Sequence, residues 1–187
     1  PIDPVVRARV DRVELPWNRL GLDPYGVSKE HLAEMYTTFG WLYRNYFRVR
    51  TFGAERVPPR GRAMLIGNHS GGVAIDGAML ITSAFFELDP PRLAQGMVEK
   101  FMSRIPFVSE RQSRTGQFTG LPETAERLLR DDRLLMVAGI PAFALLGVLG
   151  RGAYGALRDV GRSRVAARTC WSTPRPTTRC GRATSWW

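Results

Sequence analysis

Cysteine, histidine and lysine are scarce in this chain of 187 residues, which has two cysteines, two histidines, and only Lys29 and Lys100 among 27 basic residues. Nine residues separate Cys170 from Cys180, and no histidine lies near them, so neither a zinc site nor a redox pair is supported. The common metal-binding motifs are also absent, and we expect no metal. No basic segment followed by an apolar run opens the chain, so we expect a cytoplasmic setting rather than secretion.

The composition is that of a globular protein with a substantial core. Hydrophobic residues make up 44% of the chain and charged residues 24%. These values exclude a wholly disordered chain, a collagen-like repeat and a disulfide-stapled miniprotein. The length predicts one domain, and the net formal charge of +10 predicts an anionic partner such as phosphate head groups, nucleic acid or an acidic substrate.

The basic excess is concentrated at the C-terminal end. Residues 151–187 contain eight arginines and one acid, Asp159, which leaves a net charge of only +3 for residues 1–150. Residues 159–187 contain no Leu, Ile, Phe or Met, so we predict a disordered tail or out-of-frame translation. Nucleic-acid binding would depend on this tail, which has no zinc, helix-turn-helix or RNP pattern beside it, and we expect no nucleic-acid partner.

Alternating helices and strands are predicted upstream of this tail. Prolines and glycines break residues 1–27 into an extended lead-in. Beyond it, the patterns predict strands at Phe47–Phe52, Ala63–Ile66, Leu93–Val98 and Leu134–Val137, and helices at Ala78–Leu88, Lys100–Ile105 and Glu123–Arg130. The alternation favours an α/β fold for residues 28–150.

An aromatic helix opens this domain after Ser28. Its apolar positions share one face and are Leu32, Met35, Tyr36, Phe39, Leu42, Tyr43 and Tyr46. Trp41, Arg44, Phe47 and Arg48 flank this face, a combination typical of helices at a membrane interface. A helix packed on its own core explains the pattern equally well, and both interpretations stay open.

Residues 134–150 form the longest uncharged stretch of the chain. Gly139, Pro141 and Gly147 interrupt it, and it barely reaches the roughly 17 residues that a membrane-spanning helix needs. We therefore predict a buried strand and loop rather than a transmembrane helix.

The residues best suited to catalysis follow the predicted strand Ala63–Ile66. They read Asn68-His69-Ser70-Gly71-Gly72, with a carboxylate at Asp76. Asp76 could fix the tautomer of His69 and leave its other ring nitrogen free as a base, and the glycine amides could approach an oxyanion. Alternatively, His69 is an ordinary loop residue and Asp76 a helix N-cap. The other histidine, His31, is expected on a solvated helix face.

Two other chemistries fit this loop less well. Ser70 would need its neighbour His69 as a base, but adjacent side chains rarely face each other in that geometry, and no Gly-x-Ser-x-Gly motif is present. The Gly71-Gly72 pair lacks both the Gly-x-Gly-x-x-Gly pattern and the lysine of a phosphate-binding loop.

The stretch resembles the first motif of the phospholipid/glycerol acyltransferase family, which includes the 1-acylglycerol-3-phosphate acyltransferases. That motif is Asn-His, four residues, then Asp, on a loop after a strand. Here Asp76 lies two residues further on and Ala74 occupies the usual Asp position, while Asn-His-Ser-Gly-Gly followed by Asp-Gly is similar to bacterial members.

Further family features follow in the family's order over residues 45–137. They are Lys100, Ile105-Pro106-Phe107, Thr115-Gly116, Glu123–Arg130 and Leu134–Val137. The resemblance implies a glycerolipid acyltransferase-like sheet flanked by helices and incomplete at the C-terminus. Pro122 replaces the arginine of the family's second motif, and Ala138-Gly139-Ile140-Pro141 replaces its third, Phe-Pro-Glu-Gly.

The resemblance implies an acyltransferase in which His69 is the general base and Asp76 orients it. The donor would be acyl-CoA or acyl carrier protein, the acceptor a lysophospholipid or glycerolipid hydroxyl, and no further cofactor is implied. The implied substrate-binding residues are Asn68, Ser70, Gly71, Gly72, Lys100, Arg104, Arg111, Arg114 and Gly116. The four basic residues among them suit an acceptor phosphate, or are simply solvated surface.

Such substrates imply a peripheral protein at the cytoplasmic face of an anionic membrane. Because the third motif is missing, a catalytically defective, acyltransferase-like lipid-binding module remains the alternative.

Overall fold

The computed structural model describes residues 1–67, 75–98, 108–138 and 168–170. The helices are α1 Pro4–Asp11, α2 Lys29–Trp41, α3 Ile75–Glu87, α4 Val108–Arg114 and α5 Pro122–Arg130, with a π-helical turn at Leu42–Tyr46 and a 3₁₀ turn at Ala54–Arg56. The strands are β1 Arg50–Phe52, β2 Ala63–Gly67, β3 Ala94–Val98, β4 Phe118–Thr119, β5 Leu134–Ala138 and β6 Arg168–Cys170.

Four strands form a parallel sheet in the order β2-β5-β3-β4. The central strand β5 pairs with β2 from Ala63↔Leu134 to Gly67↔Ala138, and with β3 from Ala94↔Leu134 onward. Outside this sheet, β1 and β6 pair in antiparallel orientation. Helices alternate with the parallel strands, so the prediction of an α/β fold is confirmed at this level.

Side chains of β5 alternate between two apolar layers. Leu134 and Met136 pack with Leu65 and with residues of α2 and α3 in the main core. Leu135 instead packs with Ala125, Leu128 and Leu129 of α5. Because successive strand residues point to opposite faces, α3 and α5 cover opposite faces of the sheet.

The lead-in is not extended throughout, and that prediction is wrong for Pro4–Asp11, which forms α1. Asp3 caps the helix, its carboxylate accepting from the Val5 amide at 2.8 Å. Pro4 occupies the first turn, where a missing amide costs nothing. Val6 and Val10 are buried in the main core, so α1 belongs to the domain.

The other predictions are confirmed over most of the described residues. The helix after Ser28, the strands β2, β3 and β5, and the helices α3 and α5 all form. The predicted strand Phe47–Phe52 is reduced to β1, while α4, β4 and β6 were not predicted. The predicted helix Lys100–Ile105 lies outside the described residues. Only β6 of the 151–187 tail is described, and the disorder of that tail stays a prediction.

Two partly buried arginines connect elements of the fold rather than adding to a basic surface. The Arg9 guanidinium on α1 donates to three carbonyls at the end of α3, those of Phe85, Phe86 and Leu88. Arg92 donates to the carbonyls of Pro58, Gly61 and Asp132. Burial lowers the pKa of both arginines. Part of the arginine excess is therefore structural.

A buried ion pair joins the lead-in to the start of β5. Arg133 Nη2 lies 3.0 Å from Asp23 Oδ2, and the two side chains are 5% and 0% exposed. No donor among the described residues is aligned for a hydrogen bond to Oδ2, so the contact is electrostatic. Asp23 Oδ1 accepts from the amides of Tyr25 and Val27, and the Arg133 guanidinium lies over the Tyr25 ring.

We predict that Asp23→Asn lowers the free energy of unfolding by about 3–5 kcal/mol in urea denaturation. Asparagine keeps an acceptor for the two amides but leaves the Arg133 charge buried without a counter-ion. The control is Asp11→Asn, which removes an exposed pair with Lys29 and should cost less than about 1 kcal/mol. Equal costs for the two variants would contradict the prediction.

Tyr36 on α2 carries a buried hydroxyl in the main core. Its ring stacks on Phe85 with centroids 3.8 Å apart and an interplanar angle of 5°. The hydroxyl has no hydrogen-bond partner among the described residues, and burial strongly raises its pKa. The ring therefore stabilises the core while the hydroxyl is desolvated without compensation.

We predict that Tyr36→Phe raises the free energy of unfolding by about 1 kcal/mol, because it removes an unpaired polar group. Tyr43→Phe is the matched control, since that hydroxyl contacts Thr51 Oγ1 at 2.6 Å and donates to Glu87 at 3.0 Å. Tyr43→Phe should lower the free energy of unfolding by about 1 kcal/mol, so the two substitutions should change it in opposite directions. If both substitutions lowered stability, the conclusion that the Tyr36 hydroxyl is buried at a cost would be wrong.

Candidate active site

The candidate site lies at the carboxyl edge of the parallel sheet. The strands end there at Gly67, Val98, Thr119 and Ala138, with Gly67 and Ala138 paired directly. Ligands of open parallel sheets bind at this edge, because the loops that leave parallel strands meet there.

Helix α3 carries Asp76 to the same edge. A Cβ placed on Gly67 would lie 3.3 Å from Leu80 Cδ2, so the end of β2 is in contact with the second turn of α3. Asp76 precedes Leu80 by one helical turn, about 6 Å along the axis. The first turn of α3, which holds Asp76, therefore lies at the carboxyl edge of the sheet.

The local environment of Asp76 suits an ionised carboxylate. The side chain is half-buried in the first turn of α3. Its Oδ1 accepts from the Gly77 amide at 2.7 Å. The positive end of the helix dipole favours negative charge at this position.

Most of the predicted site residues are outside the described residues. They are Asn68, His69, Ser70, Gly71 and Gly72, which directly follow β2 in the chain, and Lys100 and Arg104. Asp76 is thus the predicted catalytic residue that the structure describes, and the pairing of His69 with Asp76 stays a prediction.

The remaining predicted binding residues lie in α4 and just after it. Arg111 is exposed, and its Nη2 lies 3.4 Å from Glu34 Oε2 on α2. The carbonyl of Arg114 accepts from the Ser28 amide at 2.9 Å. Gly116 lies beside Leu93 and Gln95, at the start of β3. The structure does not bring Gly116 to the edge that holds Asp76, and a role of these residues in acceptor binding stays a prediction.

A cavity of about 320 Å³ was not expected from the sequence. It is bounded by α4, β4 and α5. Apolar side chains, among them Val27, Phe118 and Leu128, line it together with neutral polar ones, namely Gln95, Ser109, Gln112, Ser113, Gln117, Thr119 and Thr124. Gln95 is buried, and its Oε1 has no partner among the described residues. Tyr25 also lines the cavity, and burial raises its pKa. The sequence signal that could have indicated this cavity is Gln95, a polar residue in the otherwise apolar strand β3.

Within the described ranges, no group of three or more His, Cys, Asp or Glu side chains could hold a metal ion. None of the helices in those ranges combines the length and apolar character needed to cross a bilayer.

The comparisons identify bacterial relatives without an assigned activity. The uncharacterized proteins Rv0502 of Mycobacterium tuberculosis and Mb0514 of Mycobacterium bovis are 26% identical over 120 residues, 64% of this chain and 32% of theirs. The uncharacterized protein ML2427 of Mycobacterium leprae is 29% identical over 97 residues, 52% of this chain and 26% of its own. The chain thus spans about a third or less of these relatives. No family model and no solved structure matches it.

We predict that Asp76→Asn changes the free energy of unfolding by less than about 1 kcal/mol. The asparagine carbonyl can accept the Gly77 amide in place of Oδ1, and the substitution removes a negative charge that the helix dipole favours. Urea denaturation of the full chain measures this change. A loss of several kcal/mol would assign Asp76 to the folding of α3 instead of to the chemistry at the sheet edge.

Proposed function

We propose that the protein is an acyltransferase that moves a fatty acyl group from acyl-CoA or acyl carrier protein to a lysophospholipid or glycerolipid hydroxyl. The position of Asp76 carries the proposal. Asp76 lies in the first turn of α3, at the edge of the sheet where β2 ends, and the next residues in the chain after β2 are Asn68 and His69.

In the proposed reaction, His69 removes the proton from the acceptor hydroxyl as the oxygen attacks the thioester carbonyl. The C–O bond forms, the C–S bond breaks, and His69 returns the proton to the leaving thiolate. Asp76 stabilises the imidazolium and holds the ring in the required tautomer without itself becoming protonated. Transfer is direct, with no acyl-enzyme, and backbone amides of residues 70–72 stabilise the oxyanion.

A second candidate function follows from the end of β5. There Gly139-Ile140-Pro141 follows Ala138 in place of Phe-Pro-Glu-Gly, the third motif, which the resemblance implies would help to bind the acceptor phosphate. A chain that keeps the sheet but cannot hold the acceptor phosphate would be a lipid-binding module without turnover.

We expect the intact protein to transfer labelled acyl groups from acyl-CoA to lysophosphatidate, and His69→Ala to lower kcat by about 10²–10⁴-fold. Asp76→Asn should also lower kcat, since the imidazolium loses its counter-ion. His31→Ala is the matched control, because that half-buried ring contacts Ser28 Oγ at 3.1 Å on the outer helix α2 and should leave turnover unchanged.

Each result separates the two candidate functions. Turnover that depends on His69 and not on His31 supports the acyltransferase. Turnover that is unaffected by His69→Ala rejects His69 as the base. A folded chain that binds anionic lipid vesicles but shows no turnover with any of a panel of lysolipid acceptors is the outcome expected of the lipid-binding module.

A further inference from the structure

Three large aromatic side chains are exposed near the end of α2. Trp41, Tyr46 and Phe52 have 59%, 68% and 60% of their surface accessible. They belong to the end of α2, the π-helical turn and β1. Exposed aromatics grouped in one short segment indicate a binding surface more strongly than single exposed apolar residues do.

The interior side of the same segment is already packed. Tyr43 is buried, with its ring 6.2 Å from that of Phe86. Its hydroxyl contacts Thr51 at 2.6 Å, which ties β1 to the helical turn. The core is therefore filled without the three exposed rings.

The exposed rings alternate with positive charge. Arg44, Arg48 and Arg50 are all exposed, and residues 41–54 contain no Asp or Glu. Among the described residues, the Glu87 carboxylate contacts this segment, where it accepts a hydrogen bond from the Tyr43 hydroxyl. We name the six exposed side chains the aromatic–arginine patch: Trp41, Arg44, Tyr46, Arg48, Arg50 and Phe52.

We infer that the aromatic–arginine patch docks the protein on an anionic phospholipid membrane. Tryptophan and tyrosine favour the boundary between head groups and acyl chains, where their apolar bodies are buried and their polar ends stay hydrated. Arginine side chains bury their methylene stems and keep the guanidinium among the phosphates. Each cation near an anionic surface strengthens the attraction.

The patch and the candidate site lie at opposite ends of α3. Arg44 lies over the Phe86 ring, 4.3 Å from its centroid, in the last turn of the helix, whereas Asp76 is in the first turn. Phe86 lies ten positions after Asp76 in α3, about 15 Å further along the axis. Docking can therefore be removed without touching Asp76. The inference rests on these exposed side chains and does not depend on the proposed function.

Sedimentation of the full chain with sucrose-loaded vesicles tests the inference. Binding is expected to phosphatidylcholine vesicles that contain phosphatidylglycerol, and to be weak with phosphatidylcholine alone. The triple variant Arg44→Gln, Arg48→Gln, Arg50→Gln should lower partitioning on the order of 100-fold. Its matched control, with the same loss of charge elsewhere, is Arg19→Gln, Arg60→Gln, Arg130→Gln, and it should bind at least ten-fold better than the patch variant.

A second set of variants tests the aromatic side chains. Trp41→Ser, Tyr46→Ser and Phe52→Ser together should lower partitioning at least ten-fold, whereas Leu20→Ser, at a leucine that is 82% exposed, should not. Far-UV circular dichroism checks that each variant is folded. Equal effects of patch and control variants, or binding of single-stranded DNA in place of vesicles through the same arginines, would overturn the inference.

Turnover separates this inference from the proposed function. With short-chain substrates that stay monomeric in water, the patch variants should keep the activity of the intact protein. Vesicle binding that depends on the patch, without any turnover, supports membrane docking and rejects the acyltransferase proposal. Turnover without vesicle binding supports the acyltransferase proposal and rejects membrane docking.

Discussion

Arg133 carries a positive charge into the interior immediately before the central strand, and three parts of the fold depend on how that charge is held. Asp23 neutralises it from the lead-in. The Arg133 amide donates to Leu128 at the end of α5, and its carbonyl accepts from Ala63 at the start of β2. An unpaired buried cation costs several kcal/mol, so the lead-in and β5 are stable in the fold only together.

The position of β5 between β2 and β3 determines the shape of the candidate site. Strands next to each other are about 4.8 Å apart, so the carboxyl ends of β2 and β3 are separated by about 10 Å with the end of β5 between them. The proposed base follows β2 in the chain, and the residues that replace the third motif follow β5. The replacement is therefore adjacent in the chain to the strand that lies between β2 and β3, and it bears directly on whether the protein is an enzyme or a binding module.

The sequence patterns predicted the elements whose signals are local. Apolar runs identified β2 and β5, and Pro122 marked the start of α5, because burial and caps act within a few residues. Helix α1 was missed because Pro4 was interpreted as a breaker, although proline suits the first turn of a helix. The strand order and the Asp23–Arg133 pair were beyond prediction, since both join residues far apart in the chain, and neither partner of the pair lies in a periodic pattern.

The distance between the candidate site and the aromatic–arginine patch also depends on residues far apart in the chain. The sequence proposed candidate residues for the site, but it could not predict how far they lie from the patch. Helix α3 has 13 residues and holds Asp76 and Phe86 near its two ends, so its length fixes the distance between proposed chemistry and proposed docking. The core contacts of Tyr36 with Phe85 and of Gly40 with Phe86 lock α2 onto that helix. A Cβ at Gly40 would approach Phe86 Cζ to 2.8 Å, so a larger residue there would require the Phe86 ring to shift, and glycine lets α2 pack closely on the end of α3 that is opposite to Asp76.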